Sequence, residues 1–368
     1  MRALIVAGEA SGDLHAANLL AALRAAAPAL EAFGVGGARL RAAGLDCLAH
    51  SEELSVMGLA EVVRHLPRLL GLARRVRRGA LARRPDVAVL VDSPDFNLPL
   101  ARRLRRAGIP VVIYISPQLW AWRSGRVRRI RRDVRRVLCI LPFEVGFYRE
   151  HRVEAEFVGH PLVDELAPVM AAMPARERGV LALLPGSRWH EVEALLPTML
   201  AAAAGIVREG ASRARLIVAP GLDPDRLRGM VPAGSPPVEL VTEDRHRALA
   251  ACDAAMVASG TATLECALLD VPMVVGYRLH ALSYRLARRL VKVPHVALVN
   301  LVRGERLAPE LVQDEFTAAK LAAAAAGLLG AGGEAQRRGL AEVRSRLGGA
   351  GASVRAAAAV LAVAGEAA

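Results

Sequence analysis

A chain of 368 residues is too long for one ordinary hydrophobic core, so two domains are expected. Its 54% hydrophobic content, with 32 glycines and 21 prolines, excludes a disordered chain and fits a globular α/β protein. The formal net charge of +13 points to an anionic partner, but aromatics at 4%, without aromatic–basic interleaving, argue against nucleic acid and leave an anionic membrane or a phosphorylated substrate.

The predicted elements alternate strand and helix from the start. Ala3–Ala7 reads as an apolar strand that stops at Gly8 and leads to a helix over Leu14–Ala27. Its apolar run is too short for the core of a secretory signal. The turn between them, Gly8-Glu9-Ala10-Ser11-Gly12-Asp13, allows tight curvature and exposed N–H groups. It lacks both the dinucleotide GxGxxG spacing and the lysine of a P-loop, and Asp13 also suits a helix cap. Phe33–Gly36 is a second short strand. Residues 62–84 then combine an apolar set (Val62, Val63, Leu66, Leu69, Leu70) with arginines. That pattern fits a helix lying in a membrane interface or an amphipathic helix packed on a sheet, with Pro67 predicting a break. From Arg64 to Arg136 there are 20 arginines against four acids, a local net of +16 that exceeds the charge of the whole chain.

Val87–Val91 is a fully buried strand ending at Asp92, followed by a helix over Leu98–Ala107 and a strand over Pro110–Ile115. After a break near Pro161–Pro174 a second series begins: strand Val180–Leu184, a helix over Val192–Arg208, strands Arg215–Ala219 and Val238–Val241, helix Arg245–Ala251, strand Ala254–Ala258, helix Leu264–Leu269 and strand Pro272–Tyr277. The Ala-rich tail from Gln313 to Ala364 is helical, interrupted by glycines. Apolar strands alternating with helices imply parallel sheets covered on both faces. The expected fold is therefore α/β, two Rossmann-like doubly wound domains with a ligand crevice between them. The expected division is 1–168, 169–345, and a final helix over 346–368 that packs back on the N-terminal domain. Cys47, Cys139, Cys252 and Cys266 show no metal or disulfide spacing and read as buried small hydrophobes of a reducing cytoplasm. The best membrane-span candidate, 248–276, is broken by Asp253, Glu265 and Asp270, so the expectation is a soluble or peripheral protein.

Four short segments carry the chemistry. Asp92 ends an all-apolar strand, where partial desolvation raises a carboxylate toward the range of a general base. Asp95 is three residues on, but that spacing does not make two metal ligands from one turn, and a metal-independent site is expected. In the second half Pro185-Gly186-Ser187-Arg188 follows one strand and Ser259-Gly260-Thr261 follows another, each opening a helix. Such turns turn N–H groups and a positive helix end toward an anion, and two of them suggest one diphosphate. Arg188 adds a guanidinium suited to a leaving diphosphate, unless it pairs with Glu191 or Glu193. Glu265, one helical turn after Thr261, suits ribose hydroxyls. His160, before Pro161, is at most a substrate contact.

With these residues in view, the chain resembles the bacterial lipid-A-disaccharide synthase family. The matching segments run in order over nearly the whole chain: VAGEASGD (6–13), VMGLAEV (56–62), VDSPDFN (91–97), SPQLWAWRSGRVRRI (116–130), LPFE (141–144), VGHPLVD (158–164), LLPGSR (183–188), ASGTATLE (258–265), PMVVGYR (272–278) and VPHVALVNL (293–301). The resemblance implies an inverting glycosyltransferase of the two-domain GT-B type, with UDP-2,3-diacylglucosamine as donor and 2,3-diacylglucosamine 1-phosphate (lipid X) as acceptor. It implies no cofactor. It makes Asp92 the base toward the acceptor's 6-hydroxyl and assigns Gly186, Ser187, Arg188, Ser259, Gly260 and Thr261 to the diphosphate. It gives Glu265 to the ribose, Asn300 to the nucleotide, and Gly8, Glu9, Ser11, Gly12 and Asp13 to the acceptor side. Both substrates carry acyl chains, so it also implies a cytoplasmic enzyme held peripherally on the inner membrane through residues such as Val62 and Leu66, and a homodimer exchanging C-terminal segments. The rival expectations are a sister GT-B enzyme, such as a peptidoglycan glucosaminyltransferase or a UDP-sugar epimerase, or a non-enzymatic nucleotide-sugar sensor.

Overall fold

Apolar runs without polar alternation form strands buried on both faces, and in this chain they assemble into two separate parallel sheets. The structure, a computed structural model, describes all residues except Glu9, 55–58, Arg123, 209–212, 281–283, 286–292 and 367–368. It also leaves out the side chains of Ala10, 59–69 and Arg208. Two units result: Met1–Pro161 together with Gly349–Ala368, and Leu162–Gly348.

The first unit holds β1 (Arg2–Ala7), β2 (Glu31–Gly36), β3 (Asp46–His50), β4 (Val87–Val91), β5 (Val111–Tyr114), β6 (Arg136–Cys139) and β7 (Ala155–Phe157). Their order is β3-β2-β1-β4-β5-β6-β7. Alternate residues of β1 face opposite sides. Ala3, Ile5 and Ala7 pack with Leu19, Leu20 and Leu23 of the helix Ala10–Ala26 and with Ala356, Val360 and Val363 of the tail helix Ala352–Glu366. Leu4 and Val6 pack instead under Leu72, Val76 and Ala80 of the helix Leu59–Arg83 and under Leu100 and Leu104 of the helix Pro94–Arg106. The tail is fastened by the Arg355 guanidinium, which donates to the Val158 carbonyl at 2.8 Å, and by Glu366, which pairs with Arg135 at 2.7 Å.

Strands β3, β6 and β7 were not expected from the sequence. β3 and β7 are short and carry polar or charged residues, as strands toward a sheet edge commonly do, whereas β6 is a short apolar run, Val137–Cys139, masked by the arginine-rich segment before it. A second difference concerns residue 67, where a break was expected: one helix runs from Leu59 to Arg83. From Leu72 onward that helix is an amphipathic one packed on the sheet. Leu70 is 39% exposed, while the side chains of Val62, Val63, Leu66 and Leu69 lie outside the described residues.

The second unit holds β8 (Glu177–Leu184), β9 (Arg213–Ile217), β10 (Val238–Val241), β11 (Cys252–Ala258), β12 (Met273–Tyr277) and β13 (Glu310–Val312), ordered β10-β9-β8-β11-β12-β13. The segment Trp189–Val207 is long and apolar enough to cross a membrane. It is nevertheless a core helix, because Val192, Leu195, Leu196, Met199, Ala203 and Ile206 are buried against Leu181 and Leu183 of β8. At the other end of the sheet the buried Arg215 is held by Glu177 at 3.1 Å and Glu239 at 2.9 Å, which offsets the cost of burying its charge.

Candidate active site

In a doubly wound sheet the ligand crevice opens where the strand order reverses, beyond the carboxyl ends of the two central strands. In the first unit those strands are β1 and β4, with Ala7 paired to Val91, so the Gly8 turn and Asp92 leave neighbouring strands side by side. In the second they are β8 and β11, with Leu184 paired to Val257, so Pro185 and Ser259 do the same. All four motif segments therefore stand at switch points.

The Asp92 turn is built with unusual backbone. Asp92 and Ser93 both have positive φ, 51° and 43°, an arrangement costing about 1–3 kcal/mol per residue outside glycine. The Asn97 amide holds it by donating to the Val91 and Asp92 carbonyls at 3.2 and 2.7 Å. Asp92 is half-buried, and its N–H donates to the Tyr114 carbonyl at 3.3 Å. Gly8 is buried and must lack a side chain, since a Cβ would come within 2.4 Å of Ser93 Oγ. Gly12 is buried, with Val91 and Asp92 side-chain atoms 3.8–3.9 Å from where its Cβ would sit, and Ser11 is exposed. Glu9 lies outside the described residues.

Asp13 has another task. Its buried carboxylate accepts from the backbone N–H groups of Gly37, Arg39 and Leu40 at 2.7, 2.9 and 3.2 Å, capping the neighbouring helix Ala38–Ala42. Those three bonds account for its position without an acceptor substrate. His160 is likewise a buried side chain, 5% exposed, and burial with a neighbouring His15 pushes its pKa down to about 3.

In the second unit Gly186 has φ of 118°, which favours glycine. The N–H groups of Ser187 and Arg188 both donate to Oε2 of Glu191, at 3.0 and 3.3 Å, and the Arg188 guanidinium pairs with Oε1 at 3.5 Å. The alternative pairing considered for Arg188 is thus present, and a carboxylate occupies the N–H groups expected to meet a diphosphate. Arg188 is still half exposed. Across the switch point, Ser259 Oγ donates to the Val296 carbonyl at 2.7 Å, Gly260 is half-buried and Thr261 is exposed.

Glu265 is not a solvated helix position. It is 9% exposed, pairs with Arg245 at 3.2 Å, and lies 3.8 Å from His246 Nε2. Desolvation raises its pKa, Arg245 lowers it and Glu165 raises it, with a net upward shift. Asn300 is fully buried and its amide is completely engaged. Nδ2 donates to the Ala308 carbonyl and Glu310 Oε1, both at 2.9 Å, and Oδ1 accepts from Leu307 and Ala308 N–H at 2.9 and 2.8 Å. It has no donor left for a nucleotide. Glu310 in turn accepts from Val296 and Ala297 N–H, so Asn300 braces the segment that holds Ser259. Sequence reasoning missed Arg245, His246 and Glu310, because each reaches the site from a distant segment; Glu191, three residues past Arg188, had the spacing of a helix cap.

Two parallel doubly wound units, each presenting small-residue turns at its switch point, form the architecture of a GT-B glycosyltransferase. The solved structure of the glycotransferase of kitacinnamycin shares it with a TM-score of 0.70 at 17% identity, covering 98% of both chains. Sequence comparison narrows the class: the model of the lipid-A-disaccharide synthetase family matches residues 3–362. The lipid-A-disaccharide synthases of Anaeromyxobacter sp. (strain K) and Myxococcus xanthus (strain DK1622) are 50% and 47% identical, each over 98% of this chain and 97% of the relative. The chain belongs to this family.

Proposed function

We propose that the chain joins two acylated glucosamine units, transferring the sugar of UDP-2,3-diacylglucosamine to the 6-hydroxyl of lipid X with inversion and release of UDP. Asp92 takes the hydroxyl proton as the acceptor oxygen bonds to the anomeric carbon and the bond to the diphosphate breaks. Gly186, Ser259, Gly260, Thr261 and the Arg188 guanidinium hold the diphosphate, the Ser187 and Arg188 N–H groups joining them as Glu191 releases them, and Arg188 stabilises the charge that develops on it. Glu265 serves the ribose, Asn300 acts as a brace, and Gly8, Ser11 and Gly12 shape the acceptor side. The reaction needs no metal in this reading. The observation that carries it is the placement of the Asp92 turn at one switch point and the PGSR and SGT turns at the other. Mass spectrometry of products from purified protein, donor and lipid X tests it directly, and absence of the tetraacyl disaccharide 1-phosphate overturns it.

Arg188→Ala is expected to weaken UDP binding about ten-fold, the lower end for a charge-assisted contact because Arg188 is half exposed. Isothermal titration with UDP measures this, and an unchanged dissociation constant removes Arg188 from the diphosphate.

Both substrates are lipids, so the same reading puts the enzyme on the cytoplasmic face of an anionic membrane, as a homodimer. Replacing Val63, Leu66 and Leu69 together by serine should lower liposome binding at least about ten-fold, since each buried apolar side chain contributes about 1.5–3 kcal/mol. Equal sedimentation of the variant and the parent with liposomes would discard the 62–70 segment as an anchor.

A further inference from the structure

One buried acid stands outside the machinery described so far. Glu144, in the first turn of the helix Pro142–Glu150, is 1% exposed and accepts four hydrogen bonds. Oε2 caps the start of its own helix, taking the N–H groups of Ile140 and Leu141 at 3.2 and 3.1 Å. Oε1 faces another segment, taking Ser116 Oγ and Trp120 Nε1, both at 3.0 Å. Tyr148 closes the cluster at 3.0 Å from Ser116 Oγ, and the Trp120 ring stands edge-on to Phe143 with centroids 4.9 Å apart.

The segment so held begins where β5 ends. Tyr114, its last residue, is the register partner of Val91 and accepts the Asp92 N–H. Ile115 then has φ of 65°, a conformation that β-branched residues avoid and that persists only where surroundings impose it. The chain leaving Ile115 is therefore strained at its root and anchored by a carboxylate one and five residues later. It presents Gln118 and Trp122 to solvent, Trp122 at 43% exposure.

We propose that Glu144 is a positioning residue for the transfer reaction: through Ser116 and Trp120 it holds the 116–122 segment beside the Asp92 turn in the conformation that receives the acylated acceptor. The proposal rests on the reading of Asp92 as the acceptor-side base. One oxygen caps a helix while the other anchors the segment, so only an ionised carboxylate meets all four donors. Burial pushes Glu144 up to about 7, and its ionisable neighbours Tyr148 and Cys139 are both raised by burial and stay neutral. Protonation below that point converts one acceptor into a donor and loosens the anchor.

The test compares the parent chain with Trp120→Phe, Ser116→Ala and Glu144→Gln. Trp120→Phe keeps an aromatic ring and the helix cap and removes the Nε1 hydrogen bond, so it carries the test even if Glu144→Gln fails to fold. Steady-state kinetics should show the acceptor KM raised about ten-fold in Trp120→Phe, one charge-assisted bond, with the donor KM nearly unchanged. In the parent the acceptor KM should climb as pH falls through about 7, and that dependence should vanish in Glu144→Gln. Tryptophan emission reads the anchor independently of turnover: it should titrate near the same pH in the parent and not in Glu144→Gln. Equal rises in both KM values, an unchanged acceptor KM in Trp120→Phe, or the same emission titration in parent and Glu144→Gln would each overturn the proposal. Full turnover by Asp92→Ala would instead overturn the reading it rests on.

Discussion

Replacing Asp92 by alanine is expected to slow disaccharide formation by about 10²- to 10⁴-fold, the range that a positioned general base contributes, while leaving UDP affinity nearly unchanged. The asymmetry follows from where the residue stands. Asp92 belongs to the first unit, at the end of β4, whereas the turns assigned to UDP belong to the second. Its backbone carries two successive residues of positive φ and is held by the Asn97 amide, which donates to the Val91 and Asp92 carbonyls, and those bonds survive the substitution. Single-turnover formation of the disaccharide, with UDP affinity measured in parallel, distinguishes the outcomes. Strong residual turnover removes Asp92 from the base role, and a parallel loss of UDP binding would point to a folding defect.

The second large effect concerns stability in mild acid. His160 is buried and His15 half-buried in the first unit, and desolvation depresses them to about 3 and about 4. His15 Nδ1 has no hydrogen-bond partner among the described residues. A histidine whose folded pKa lies below its unfolded value of about 6.5 contributes stability that is complete above that value and is lost as pH falls toward the folded pKa. By pH 5 each should cost about 2 kcal/mol, and the pair about 4, a large part of a typical stability of 5–15 kcal/mol, while Glu144, raised to about 7 by burial, takes up a proton more readily in the folded state and returns about 2. Urea midpoints followed by tryptophan emission at pH 7.5 and pH 5 measure the loss, because Trp120 and Trp122 report on this unit. His160→Gln should make the acid loss about 2 kcal/mol smaller, half of the histidine contribution. An equal acid loss in that variant would mean that the histidines do not govern it.

The elements legible in the sequence were those whose signal is local. Strands β1, β4, β8 and β11 are apolar runs ending in small-residue turns, and the four motif segments could be located from them alone. The peripheral strands β3, β7 and β13 gave no such signal, because they are short, carry charged residues and depend for pairing on a neighbour already in place. The helix through residue 67 shows the same limit from the other side: an interior proline argues for a break, yet one helix runs from Leu59 to Arg83, its Leu72, Val76 and Ala80 packed on the sheet.

The site divides along the same line. Asp92, the PGSR turn and the SGT turn were readable because strand, turn and helix start follow one another within ten residues, and the ordered set of family segments reached the family itself. What each polar side chain does was not readable. Asp13 looks like an acceptor-side acid until three N–H groups from 24 to 27 residues away converge on it. Asn300 looks like a nucleotide contact until all four of its hydrogen-bonding positions are found filled. Glu144 is one letter in LPFE, yet it ties a helix to a segment 24 to 28 residues earlier. Apolar patterning and turn chemistry are properties of neighbours in the chain, so the architecture and the family were already present in the order of residues. Hydrogen bonds join groups distant in the chain, and a buried polar atom must find whichever partner the fold brings to it, so only the tertiary structure decided which of these side chains remain available for substrate.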